Sequence, residues 1–178
     1  MKIVIIGASG MAKLVMDTLG SDAKKVAGFI DANKKLHGSR AFGKPVFGDS
    51  SVIGVLAKQG IMHYMIAIWD ASARKQYSEL AGMFGLKPYT AIHKSASVSE
   101  SAKIGEGSLI CRGANIGPDA RIGKHVILNI GVNVGHSCVI EDYCYLSAGV
   151  TLAGRNLIKT GVFLKAGETV LPDVTVGD

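Results

Sequence analysis

From Ile92 onward an aliphatic residue returns at every sixth position. The series is Ile92, Val98, Ile104, Ile110, Ile116, Ile122, Leu128, Val134, Ile140, Leu146, Leu152, Ile158, Leu164, Val170 and Val176. Four positions after each of these anchors stands a small or β-branched residue, among them Ala96, Ala102, Ser108, Ala114, Ala120, Val126, Cys138, Cys144, Val150 and Val174. Asn156 and Glu168 depart from that second phase. Glycines fall mainly one or three positions after an anchor, and Pro118 and Pro172 fall two after. A period of six matches neither the 3.6 of a helix nor the 2 of a lone strand. It predicts a solenoid in which each hexapeptide makes one short strand and one turn, and three of them close a triangular coil. The anchor points inward, the small residue fills the corner, and Gly or Pro sits at the bend. Each coil buries its anchors only by stacking on its neighbours.

The first half of the chain carries a different pattern. Lys2–Gly7 reads as a buried strand, Gly7–Gly10 as a tight turn, and Met11–Leu19 as a helix with Met11, Leu14, Val15 and Leu19 on one face. Val26–Asp31 and His63–Trp69 read as further strands, and Ser51–Lys58 and Ala71–Phe84 as further helices. Strands alternating with helices predict a parallel sheet. The fold class is therefore an α/β Rossmann-like sheet followed by an all-β left-handed parallel β-helix. The expected domains are 1–88 and 89–178, with Pro88 at the boundary. A solenoid ordinarily ends in a polar cap, and the repeat is still running at Val176. The expectation is a C-terminally truncated β-helix, or a last coil covered by a partner subunit.

Composition narrows the picture. Hydrophobic residues make up 48% and charged residues 19%, so the chain buries a core and is not disordered. The formal charge of +6 reads either as an ordinary solvated surface with more Lys than Glu or as an attraction for anions such as phosphorylated metabolites, coenzyme A or nucleic acid. No aromatic residues interleave with a basic run, which argues against nucleic acid. Cys111, Cys138 and Cys144 are odd in number and form no CxxC pair, so neither a disulfide framework nor a zinc site is expected. No apolar run spans a bilayer, and the opening apolar stretch breaks at once into Gly-Ala-Ser-Gly. No membrane partner and a cytoplasmic location are expected.

Two places could carry chemistry. Gly7-Ala8-Ser9-Gly10 lies between a strand and a helix, where backbone N–H groups meet a phosphate. Asp31 ends the next strand, where a carboxylate can accept from a ribose hydroxyl. The full dinucleotide fingerprint is missing, since Met11 and Ala12 follow Gly10. The turn therefore reads either as an anion site for a nucleotide other than NAD or as a plain strand-to-helix connection. The second place is His136, two positions after its anchor. It projects from a corner, stacked between Pro118 and Gly154, so its ring is accessible and suited to general base work, though an ordinary surface histidine would sit the same way. His37, His63, His93 and His125 read as surface or packing residues.

The Gly-Ala-Ser-Gly opening, the Phe29-Ile30-Asp31 strand end, Ile127-Leu128-Asn129 and the Val134-Gly135-His136 corner resemble the sialic acid O-acetyltransferase family. That family includes bacterial N-acetyltransferases acting on UDP-4-amino-sugars in surface-glycan synthesis, and the resemblance covers essentially the whole chain. It implies a homotrimer that uses acetyl-CoA as cosubstrate, with no permanently bound cofactor and no metal. It implies that Gly7, Ala8, Ser9, Gly10 and Asp31 hold a nucleotide sugar, expected to be a UDP-amino-sugar. By the same resemblance His136 is the general base, Asn129 lies beside it, and Gly154, Ala166, Lys165 and Cys144 lie along the coenzyme path. There the Gly154 and Ala166 amides would hold the pantetheine arm or polarise the thioester. The chain departs from the family pattern at four positions: Ser137 replaces an acidic residue, Cys144 stands where a second histidine is common, Met11 also replaces a histidine, and Lys165 replaces a glycine, where it would either partner a coenzyme phosphate or block the groove.

The expected activity is acetyl transfer to an amino or hydroxyl group of a nucleotide-linked sugar. The competing expectation is a non-catalytic or truncated member that binds a nucleotide sugar as an assembly or regulatory subunit.

Overall fold

The computed structural model describes residues 1–177, and the chain divides into two compact units, the first Met1–Tyr89 and the second from Thr90 onward. In the first unit, β1 (Ile3–Ile6), β2 (Val26–Ile30), β5 (His63–Ile66) and β6 (Lys87–Pro88) form one parallel sheet in the order β2-β1-β5-β6. β1 is the central strand and reads as four consecutive aliphatic residues, all buried, because a parallel sheet is covered on both faces. Helices α1 (Gly10–Leu19), α2 (Ile53–Lys58) and α3 (Ala71–Met83) connect the strands. Val4, Ile6 and Ile30 pack with Ile53, Leu56, Ile66 and Ala81 in one core.

Three local features differ from the expectation. Residues 51 and 52 belong to a 3-10 turn, Ser50–Val52, capped by the Asp49 side chain; α2 starts only at Ile53. A two-stranded hairpin, β3 (Arg40–Ala41) and β4 (Lys44–Pro45), was not apparent from the pattern. Its turn at Phe42 and Gly43 has φ of 50° and 73°, the pair of positive values that suits a tight hairpin. Pro88 does not merely separate the units. It lies in β6 on the sheet edge, where a residue without an N–H is tolerated.

The second unit is a parallel β-helix. Its two-residue strands form three ladders of five, and each strand pairs in parallel with one 18 positions away, as Leu109 does with Ile127 and Asn133 with Thr151. The first ladder contains Ile127–Leu128 and Tyr145–Leu146, the second Asn133–Val134 and Thr151–Leu152, and the third Val139–Ile140 and Leu157–Ile158. Anchors of the inner coils, such as Ile110, Leu128 and Leu146, are fully buried in one continuous core. Ile92, in the first coil, is 45% exposed because it has a neighbour on one side only.

The third position after an anchor is where the chain turns, and its φ is positive throughout the inner coils. Glycine fills it at Gly113, Gly131, Gly149 and Gly167, the corner between the first and second ladders. At the corner between the second and third ladders the same conformation is held by Asp119, Ser137, Arg155 and Asp173, with φ between 53° and 63°.

Candidate functional site

In the first unit, Gly7, Ser9, Met11, Asp31, Ser50, Trp69 and Tyr77 are among the residues that line a cavity of about 230 Å³ at the carboxyl ends of the strands. That is the end of a parallel sheet where ligands bind. Gly7 has φ of 102°, and a Cβ there would lie 2.6 Å from the Ala67 carbonyl oxygen, so no other residue fits the turn. The Asp31 carboxylate accepts from the Ala8 amide at 2.7 Å and from the Asn33 amide at 2.8 Å. It thereby closes the Gly7–Gly10 turn onto the end of β2 while still facing the cavity. α1 starts at Gly10, and Ser9 makes no side-chain capping bond, which leaves the start of the helix suited to an anion.

Three contributors escaped the pattern reading: Ser50, Trp69 and Tyr77. Trp69 is the only tryptophan and is 59% exposed. Its loop is held from behind by Arg74, which is buried and donates to the carbonyls of Ile68 at 3.1 Å and Trp69 at 2.5 Å. The clue in the sequence is a lone tryptophan just past a strand's carboxyl end. The charge distribution matches an anionic ligand. The first unit holds 12 of the 20 lysines and arginines against 6 of the 14 carboxylates, and the second holds 8 of each, so the whole excess of +6 lies in the first.

In the second unit, the outer face of the second ladder forms an open groove of about 480 Å³. Its floor carries Asn115, Asn133 and Thr151, and its edge runs past Pro118, Gly135 and Ala153 toward the His136 corner. Asn115 Nδ2 donates to Asn133 Oδ1 at 2.8 Å, so the polar floor is a connected row. His136 is exposed. Its carbonyl accepts from the Arg155 amide at 3.0 Å, and its Nδ1 lies 3.4 Å from Ser137 Oγ. The ring rests on Gly154, where an added Cβ would lie 3.0 Å from His136 Nε2. Asn129 follows Leu128 at the end of a first-ladder strand, before the Gly131 corner that leads into the second ladder. Its Oδ1 accepts from the Ile130 amide at 2.7 Å, and its Nδ2 donates to the Tyr145 hydroxyl at 2.9 Å.

Two expected placements are corrected. Cys144 does not present its side chain to the outside. The thiol is fully buried in the β-helix core and approaches the Lys159 carbonyl at 3.0 Å, because this phase of the repeat points inward. The outward residue of that segment is Tyr145, which stacks on Phe163 with ring centroids 5.3 Å apart. Gly154 does not turn its amide to the outside. The N–H donates inward to Asn156 Oδ1 at 3.2 Å, so what Gly154 contributes is the space beneath His136. Lys165 and Ala166 are both exposed, next to the Gly167 corner.

Below His136, Arg155 and Asp173 form a two-pronged ion pair at 2.6 and 2.7 Å. The Arg155 guanidinium holds the Asp173 carboxyl below its ordinary value. Among the described residues no disulfide joins the three buried cysteines, and no helix is long and apolar enough to cross a membrane.

Known proteins share both units. The PglD N-terminal domain family matches residues 2–80, and the bacterial transferase hexapeptide (six repeats) family matches 119–154. A mutant perosamine N-acetyltransferase from Caulobacter crescentus, solved with CoA and GDP-perosamine, is 34% identical with a TM-score of 0.93; the match covers 98% of this chain and 82% of that one. PerB from the same organism, also with CoA and GDP-perosamine, is 29% identical with a TM-score of 0.83, over 99% and 92% of the two chains. The acetyltransferase domain of PglB from Neisseria gonorrhoeae, solved with acetyl coenzyme A, is 28% identical with a TM-score of 0.75, over 98% and 86%. No curated protein matches the chain. With a solved relative at this identity along nearly its whole length, the chain belongs to the hexapeptide-repeat family of sugar acyltransferases that includes the perosamine and PglB acetyltransferases.

Proposed function

We propose that this protein transfers an acetyl group from acetyl-CoA to the amino group of a nucleotide-linked amino sugar, with His136 as the general base. The observation that carries the reading is the exposed His136 ring, seated on Gly154 at the edge of a groove floored by hydrogen-bonded polar side chains. The relatives bound to CoA and GDP-perosamine support the choice of donor and of an amino-sugar acceptor.

In this mechanism the sugar amine attacks the thioester carbonyl directly. The C–N bond forms, the C–S bond breaks, and His136 takes the proton lost by nitrogen and returns it to the CoA thiolate. Asn129, locked by Ile130 and Tyr145, lies on the acceptor side. Ala166 and the exposed ammonium of Lys165 lie along the coenzyme, the latter suited to a phosphate. The Gly7–Gly10 turn and Asp31 hold the nucleotide part, with Trp69 offering a face for the base. The groove lies on an outer face, so a second copy closing it would complete the site; a closed homotrimer is the arrangement proposed. Buried thiols, with burial pushing the Cys138 thiol up, suit a reducing cytoplasm.

Calorimetric titration with coenzyme A, then with GDP and with UDP, tests the two halves separately. Coenzyme binding and preference for one nucleotide are the expected results. Nucleotide binding without coenzyme binding would leave a sugar-nucleotide binder with no acyl donor, and the proposal would fall.

A further inference from the structure

We propose that Asn156, an amide buried inside the β-helix, is a positioning residue that seats the His136 imidazole. This inference rests on the reading of His136 as the base. Asn156 is 1% exposed. The positions stacked with it along the solenoid are Ala102, Ala120, Cys138 and Val174, all small or apolar. A polar side chain in this column is stable only if its groups are hydrogen-bonded.

Its partners tie together the turns beneath His136. Oδ1 accepts from the Gly154 amide at 3.2 Å and lies 3.7 Å from Cys138 Sγ. Nδ2 donates to the Leu171 carbonyl at 2.6 Å and lies 3.4 Å from the Val174 carbonyl. One side chain therefore links the Gly154 turn to the Leu171–Val174 turn of the next coil. The same two turns are joined by the Asp173 amide, which donates to the Gly154 carbonyl at 3.1 Å, and on the outside by the Arg155–Asp173 ion pair.

The need for Asn156 follows from His136. The corner column reads Glu100, Pro118, His136, Gly154, Pro172. A proline has no N–H to satisfy. Residue 154 lies directly under the imidazole, where a Cβ would come within 3.0 Å of Nε2, so glycine stands there. Glycine brings an N–H, and that N–H points into the core. Asn156 accepts it. His136, Gly154 and Asn156 thus act as one device: the ring needs the glycine, and the glycine needs the amide. If Asn156 is lost, the Gly154 N–H and the Leu171 carbonyl lose their buried partner, the turn relaxes, and the ring moves with its seat.

The test uses the full chain carrying Asn156→Val. Valine occurs in the same column at Val174, in the last coil; Asn156→Ala, matching Ala102 and Ala120, carries the same prediction if the valine variant fails to fold. The side-chain resonances of His136 are followed against pH by NMR, and turnover is measured with acetyl-CoA and GDP-perosamine beside wild type and His136→Ala. In folded Asn156→Val the His136 titration midpoint is displaced or its resonances broaden, kcat falls about tenfold, and the KM for acetyl-CoA stays within about twofold. An unchanged His136 titration in the folded variant overturns the inference, whatever the activity. If His136→Ala keeps full turnover while Asn156→Val still moves the His136 resonances, the base assignment fails and the seating role stands.

Discussion

Two corners of the same β-helix use one backbone conformation for opposite purposes. At the corner between the first and second ladders the turning residues are Gly113, Gly131, Gly149 and Gly167. An added Cβ at Gly131, Gly149 or Gly167 would meet nothing within 4 Å, so glycine is there for its positive φ and leaves an unobstructed surface. At the next corner Asp119, Ser137, Arg155 and Asp173 adopt the same φ at a cost glycine would avoid. In return that corner carries side chains: His136, its neighbour Ser137, and the Arg155–Asp173 pair below. The bare corner suits an extended ligand that needs room, and the decorated one suits proton transfer.

Substitutions at the two corners should therefore separate stability from chemistry. Gly154→Ala places a Cβ against the His136 ring and should lower kcat by about 10²-fold, since small displacements of a catalytic group cost this much. Gly149→Ala, by contrast, meets only the positive φ; it should destabilise by about 1 kcal/mol, read from thermal melting, and leave kcat near wild type. Equal losses of kcat at both positions would erase the distinction. The first unit contains a glycine bound by sterics as well as by φ. Gly7→Ala drives a Cβ onto the Ala67 carbonyl, and calorimetry should show nucleotide affinity reduced by tenfold or more, about 1.4 kcal/mol, with coenzyme affinity unchanged.

Smaller effects are electrostatic. Ser137 Oγ lies 3.4 Å from His136 Nδ1, so a carboxylate introduced as Ser137→Glu would favour the imidazolium. The acid limb of the kcat/KM profile should move up by about one pH unit. The smallest effect belongs to Asp173→Asn. Arg155 holds the Asp173 carboxyl below its ordinary value, so the pair stabilises the fold above that ordinary value. The contribution is lost as pH falls through the depressed value. Both groups are largely exposed, so Tm at neutral pH should barely change, and the variant should show a flatter fall of Tm between neutral and strongly acid pH.

The β-helix was legible because its period is a long-range constraint. A run of aliphatic anchors six apart leaves one way to bury them, and His136 could be placed on an outer corner from its phase alone. The same periodicity explains one failure. Adjacent residues face opposite sides of the solenoid wall, so the single step between Cys144 and Tyr145 separates the inner core from the outer face, where Tyr145 packs against Phe163 and Asn129. Side-chain phase also says nothing of where an N–H points, so the inward Gly154 amide is not legible in the sequence, although Asn156 stands out there as polar in an apolar column. In the first unit the glycine turn and Asp31 were readable as strand-end chemistry. Ser50, Trp69 and Tyr77 were not, because three separate connections converge on that cavity and no repeat relates them.

The most direct measurement is the rate of CoA thiol release from acetyl-CoA in the presence of GDP-perosamine and of UDP-linked amino sugars, for wild type and His136→Ala, with coenzyme binding measured for both. The account predicts that wild type releases thiol in step with N-acetylated sugar. It predicts that His136→Ala binds coenzyme normally and is slower by about 10²-fold or more. Equal rates in the two proteins, or a wild-type chain that binds no coenzyme, would contradict it.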